Sequence, residues 1–183
     1  VDPFGYIYAG TGDGTNLGNN KVYRSTTPDG SAFAPVKDAT GTNDLVVHHA
    51  PGECNLWYQS WGFDCDPESR TWVFGDMTQG TSDQLYTYRS TDGVRFTESP
   101  QLALRYPDGR HIHSVKWDPY RHLWFVTCGD WKVMSMNRSV DAVNFTQIAP
   151  NMKTGFTSIT FTPQAMIMGT DAPQGNIIYR STD

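Results

Sequence analysis

Two histidines one residue apart in "RHIHS" (Arg110–Ser114), and four aspartates closing apolar runs, are the residues of this chain best suited to chemistry. On a regular strand the spacing of His111 and His113 turns both imidazoles to one side. The aspartates end "YIYAGTGD" at Asp13, "TWVFGD" at Asp76, "LWFVTCGD" at Asp130 and "MIMGTD" at Asp171. Imidazole with carboxylate transfers protons near neutral pH or ligates a metal ion. His111, His113 and Asp130 are thus candidates for acid–base work, and His111 and His113 for a metal. The competing reading is that the aspartates cap turns and the histidines fill a crowded interior. His48 and His49 occupy an equivalent stretch, and His122 belongs to a turn.

A second group is suited to holding a ligand. Trp57, Tyr58, Tyr106 and Trp131 offer flat apolar faces of the kind that meet sugar rings, and Arg105 and Arg110 stand beside them. The alternative for the aromatics is packing between neighbouring elements.

All of these residues need strands to position them. The chain has 183 residues, enough for one domain with a real core. Charged residues make up only 18%, aromatics reach 13%, and Gly and Pro are plentiful, which suits short strands and many turns. A net charge of −5 offers no surface for a phosphate backbone, so nucleic acid is not an expected partner. No apolar run is long enough for a membrane span, and no motif calls for a cofactor. Three cysteines exclude a fully paired framework; Cys54 and Cys65 bridge only if their segments meet, and otherwise the thiols are free. Sequons at Asn137 and Asn144 fall inside the repeat described next, which explains them without sugar.

Three anchors recur in fixed order. The first is an Asp-Pro-like turn at Asp2, Asp66, Asp118 and Thr162. The second is the apolar run ending in the acidic residues above. The third is a polar turn: "YRSTDGVRF" at Tyr88–Phe96, with echoes in "VYRSTTPDGSAF", "MNRSVDAVNF" and the final "YRSTD". Segments between anchors alternate or run apolar and break at Pro, Asp-Gly or Gly-Asp, the pattern of strands. Each unit is therefore four strands, A to D. Antiparallel units repeated at roughly 45 residues are expected to be blades of a β-propeller. The expected fold is all-β: one propeller segment over 1–183, with blades at 1–38, 56–103, 111–148 and 155–183, the last without strand D. A single sandwich is the weaker alternative.

In the turn, Ser90 and Asp92 are expected to bond the backbone, Gly93 to take positive φ, and Phe96 to pack beneath. The same roles fall to Ser25 and Asp29, to Ser139, Asp141 and Phe145, and to Ser181 and Asp183. This pattern resembles the Asp box, or BNR repeat, of sialidase-like propellers, in the shortened form Ser-x-Asp-Gly-x-x-Phe. The first copy carries two extra residues before Asp29 and the third has Ala142 for Gly, departures that favour the broader BNR-like group. Those propellers have six blades, so the resemblance implies a fragment of a larger ring, or a chain completed by further blades or protomers.

A sialidase would need three arginines on the substrate carboxylate, a Tyr–Glu pair and an aspartic acid. Of nine arginines, Arg24, Arg89, Arg138 and Arg180 recur at one strand C position, while Arg70, Arg95 and Arg121 lie in turns at the other end. Only Arg105 and Arg110 remain, and Glu53 is the one glutamate in a suitable loop. The expected function is glycan or other ligand recognition in a secreted or particle-associated protein. The alternatives are part of a glycoside hydrolase or lyase whose other residues lie elsewhere, and a structural or assembly propeller.

Overall fold

The computed structural model describes residues 1–11, 21–47, 62–75, 85–99, 112–129, 134–152, 154–171 and 176–182. Among them there is no α-helix, and fourteen strands form four antiparallel sheets. Sheet I holds β1 (Tyr8–Gly10), β2 (Val22–Ser25) and β3 (Phe33–Pro35). Sheet II holds β4 (Phe63–Asp66), β5 (Thr71–Gly75), β6 (Thr87–Ser90) and β7 (Thr97–Glu98). Sheet III holds β8 (Ile112–Asp118), β9 (Leu123–Cys128), β10 (Met134–Ser139) and β11 (Thr146–Met152). Sheet IV holds β12 (Gly155–Thr162), β13 (Ala165–Asp171) and β14 (Ile178–Ser181). In every sheet the strands lie side by side in chain order.

The registers are equivalent from sheet to sheet. The four recurring arginines pair with Tyr8, Val73, Phe125 and Ile167 on the preceding strand. The serine after each arginine pairs with Trp72, Trp124 or Met166 in sheets II to IV, and in sheet I its N–H bonds the Ile7 carbonyl. Strand residues alternate between faces, so each sheet has one face carrying the arginine row and one carrying the serine row.

Those two faces explain where the core lies. Three apolar clusters sit between consecutive sheets. Val22, Tyr8 and the 36–47 segment of the first unit meet Trp72, Phe74, Tyr88 and Phe96 of sheet II. Val73 and Leu85 then meet Ile112, Val115, Trp124, Val126 and Ala142 of sheet III. Phe125 and Met136 finally meet Ile159, Met166 and Met168 of sheet IV. The arginine-row face of one sheet thus packs on the serine-row face of the next, three times in succession. Along this series β4 and β5 pack on β8, and β8 and β9 pack on β12.

Polar links reinforce the stacking. Trp72 Nε1 donates to Asp2 Oδ2 at 2.9 Å, and Tyr8 Oη donates to the Gly93 carbonyl at 2.9 Å while accepting from Arg24 Nε at 3.0 Å. Lys37 bonds through its N–H to the Val94 carbonyl and accepts from the Phe96 N–H. Between sheets II and III, Asp64 Oδ2 accepts the Trp117 N–H at 2.9 Å; between III and IV, Thr127 Oγ1 donates to the Phe156 carbonyl at 2.7 Å.

The turns between first and second strands close on Arg70 (φ 52°) and His122 (φ 53°), both in the left-handed region that side chains with a Cβ disfavour. His122 is exposed and touches only the edge of the Trp117 ring among described aromatic contacts. Asn adopts this conformation more readily and adds no flexibility to the unfolded chain, unlike Gly. His122→Asn is expected to raise stability by about 0.5 kcal/mol, read as a higher denaturant midpoint at unchanged slope.

Candidate functional site

Antiparallel pairing places two different chemistries at opposite ends of the sheets. In sheet III, Ile112, Cys128 and Met134 mark one end, and Asp118, Leu123 and Ser139 mark the other. The second end carries the recurring turns. Ser90 Oγ accepts the Gly93 N–H at 2.8 Å and donates to Asp92 Oδ1 at 3.0 Å. Asp92 Oδ1 also accepts the N–H groups of Val94 and Arg95 at 2.8 Å each, and Arg95 Nε reaches Oδ2 at 2.8 Å. Ser139 and Asp141 repeat the arrangement around Val143 and Asn144, with Asn144 Nδ2 standing where the Arg95 guanidinium does. Gly93 has φ 70° and Ala142 φ 61°. Phe96 is buried beneath the first of these turns, and Phe145 packs half-buried beneath the second.

The first copy differs from its expected form. Asp29 is bonded by Thr27 Oγ1 and the Ser31 N–H, whereas Ser25 Oγ accepts the Ile7 N–H at 2.9 Å. The two inserted residues move Ser25 away and bring Thr27 to the position two before the aspartate. In the fourth copy Ser181 ends β14, and Asp183 lies outside the described residues.

The Asp-Pro turns at the same end are built alike. Asp66 Oδ1 accepts the Glu68 N–H at 3.0 Å, Asp118 Oδ1 accepts those of Tyr120 and Arg121, and Asp2 Oδ1 accepts those of Phe4 and Tyr6. Thr162 Oγ1 does the same for Gln164 and Ala165. The carboxylates of Asp2, Asp66, Asp92, Asp118 and Asp141 are each bonded by their own turn. Their work is structural.

The other end begins at β8. Pairing passes from Ile112↔Cys128 to Ser114↔Thr127, so His113 is an extra residue and the strand bulges there. The regular alternation expected for "RHIHS" is broken at that point, and His111 lies outside the described residues. His113 is buried at 6% exposure, and beside it Ser114 is fully buried with no hydrogen-bond partner for Oγ among the described residues. The equivalent strand of sheet IV slips at the matching place, between Phe156 and Ser158, which makes Thr157 the counterpart of His113. Bulges of this kind re-aim a side chain, and they cluster beside binding sites.

Trp57, Tyr58, Arg105, Tyr106, Arg110, Trp131 and Asp130 lie outside the described residues, as do His48, His49, Asp13 and Asp76. The described strands that flank them, β5 at Gly75, β8 at Ile112 and β9 at Cys128, present the ends nearest the His113 bulge. Asp171 ends β13, paired with Gly155. Among the described residues no group of three His, Cys, Asp or Glu side chains is placed to hold a metal.

Two features escaped the sequence. Burial raises the Asp64 carboxyl above the usual carboxylate range, against the pull of Lys116 and two backbone N–H donors. Both its oxygens are engaged, one by Trp117 and one by Cys65, so it clasps sheet II to sheet III. Its only trace in the sequence is a second carboxylate two residues before Asp66 in the strand FDCD. The second is a buried trio in which Asn137 Nδ2 lies 3.4 Å from Cys128 Sγ and 3.3 Å from Ser135 Oγ. Asn137 is fully buried, so its sequon is closed to glycosylation in the folded chain, while the exposed Asn144 commits its amide to Asp141. Cys65 and Cys128 are free and buried, and burial pushes both thiols up to about 12. Compared with known proteins, the chain matches no family model and no curated protein.

Proposed function

We propose that the four sheets are consecutive blades of a BNR-like β-propeller, and that this segment recognises a glycan at the end where β8 and β12 begin. The observation that carries the reading is the threefold repetition of one head-to-tail packing mode, with the opening strands β4, β8 and β12 in series. Such a series places the first strand of each blade innermost and gathers the strand starts around a common mouth. The opposite rim is filled by self-satisfied aspartate turns, which leaves the His113 end for a ligand. Trp131 and Tyr106 supply rings for a sugar face, and Arg105 and Arg110 supply donors to its hydroxyls or carboxylate.

A glycan array tests this. Saturable signal is expected for the intact chain, weakened at least about tenfold by Trp131→Ala, as for loss of an aromatic anchor. Signal that is flat across all glycans overturns the recognition reading. Turnover of a glycoside by the full-length protein that is lost in His111→Ala and Asp130→Ala would replace recognition with hydrolysis.

A further inference from the structure

We propose that the contact between sheets II and III encloses ordered water, held between Arg89 Nε on one sheet and the Asn137 side-chain carbonyl on the other. This water site is separate from the ligand-binding end and depends only on the packing of the two sheets. Val73 and Leu85 bring sheet II against sheet III. Thr87 and Arg89 continue the same face, since Arg89 pairs with Val73 and Thr87 stands two residues before it. On the facing sheet Asn137 pairs with Val126 of the same cluster, and Gln147 pairs with Asn137. Thr87 and Asn137 are fully buried, Arg89 and Gln147 half-buried. Thr87 Oγ1, Arg89 Nε, Asn137 Oδ1 and Gln147 Nε2 are shielded from solvent and have no hydrogen-bond partner among the described residues. Buried polar atoms left so are costly, and ordered water is their usual partner where several converge.

The other two contacts of the chain show that this one is built for water. Three residues before the recurring serine stand Val22, Thr87, Met136 and Ile178, and two before it stand Tyr23, Tyr88, Asn137 and Tyr179. Where sheets I and II meet, the facing pair is Val22 and Tyr88, both in one apolar cluster. Where III and IV meet, it is Met136 and Tyr179. Between II and III the pair is Thr87 and Asn137, polar on both sides and smaller where Asn stands for Tyr. The arginine changes partner at the same place. Arg24 Nε donates to Tyr8 Oη at 3.0 Å, but Val73 holds the Tyr8 position one sheet later, so Arg89 Nε has no phenol to reach. A water oxygen accepting from Arg89 takes over the part of that hydroxyl.

The mixture of groups selects water over an ion. Arg89 and Gln147 donate, Asn137 Oδ1 accepts, and the Thr87 hydroxyl does either. An anion would meet the Asn137 carbonyl and a cation the Arg89 guanidinium, whereas water donates to the one and accepts from the other.

A crystal structure of the chain at a resolution that shows ordered solvent tests this. Water is expected at about 2.7–3.2 Å from Arg89 Nε and from Asn137 Oδ1, as one molecule or two in contact. Either atom bonded to protein alone, or no solvent peak beside them, overturns the proposal. Water magnetic relaxation dispersion, which counts long-lived internal molecules, reads the same site in solution. The count is expected to fall by about one or two in Thr87→Val with Asn137→Leu, which makes the facing pair apolar. An unchanged count in the folded variant overturns the proposal as well. Should that variant not fold, the crystal structure of the unaltered chain still decides.

Discussion

Gly93→Ala is expected to destabilise the chain by about 3 kcal/mol, a fall in Tm of roughly 6–12 °C for a domain of this size. Three costs combine. The position has φ 70°, where a residue with a Cβ costs about 1–2 kcal/mol. The added methyl would lie 2.5 Å from Tyr8 Oη and 3.2 Å from Trp72 Cε2. Moving Tyr8 aside then breaks its bond to the Gly93 carbonyl and the one it accepts from Arg24. Burial raises the Tyr8 hydroxyl well above the usual phenol range, despite the Arg24 charge beside it, so a Tyr8 left without these partners is costly.

The same substitution run backwards in the next sheet should do almost nothing. Ala142 has φ 61°, yet its methyl is fully buried in the cluster between sheets II and III. Val73 holds the strand position there that Tyr8 holds one sheet earlier, and its smaller side chain leaves room for a Cβ. Ala142→Gly relieves about 1 kcal/mol of backbone strain and loses about 0.8 kcal/mol of methyl burial. Thermal melts of the two variants check the contrast. A loss at Gly93 matched by an equally large gain at Ala142 would mean that strain alone, and not the neighbouring sheet, decides the residue.

Removing the carboxylates of both complete turns, as Asp92→Ala with Asp141→Ala, is expected to cost about 2–4 kcal/mol, since each change leaves two backbone N–H groups and a serine without their acceptor. The same groups make the chain sensitive to acid. At Asp92 burial pushes upward but is outweighed by the N–H groups of Arg95 and Val94, the Arg95 side chain and Ser90, which bring it to about 2. At Asp141 burial is likewise outweighed, here by Asn144 and Val143, and the carboxyl lies lower still. Folded values below the unfolded value of about 3.9 mean that the unfolded chain binds protons first on acidification. The stabilisation is complete above about pH 4 and is lost as the pH falls toward 2. Asp64, whose carboxyl is raised by burial, acts with the opposite sign, because its folded form takes up a proton first. Denaturant midpoints across this range should fall steeply for the unaltered chain below about pH 4 and less steeply for the double variant. Equal slopes for the two would remove the turns from the acid response.

Local chemistry explains what could be read in advance. The turn at Ser90–Phe96 is specified by contacts no more than three residues apart, so its sequence announces it; the strands on either side follow from alternation and from Pro and Gly breaks. Their grouping into four sheets follows from recurrence of that turn. What failed depends on partners distant in sequence. The bulge at His113 is set by how β8 meets β9, and nothing in "RHIHS" distinguishes a slipped register from a regular one. Asp64 looks like a solvated strand residue until Trp117, on another sheet, supplies its donor. In the first copy the motif letters pointed to Ser25, but reach favours Thr27, two residues from Asp29.

Because among the described residues each sheet packs on its immediate neighbours, cohesion there is a nearest-neighbour property. Sheets II and III are held from both sides, and sheets I and IV from one. Amide exchange should therefore be slowest in β5 and β9 and quicken outward toward β2 and β14, so that fraying starts from either extremity and the middle yields last.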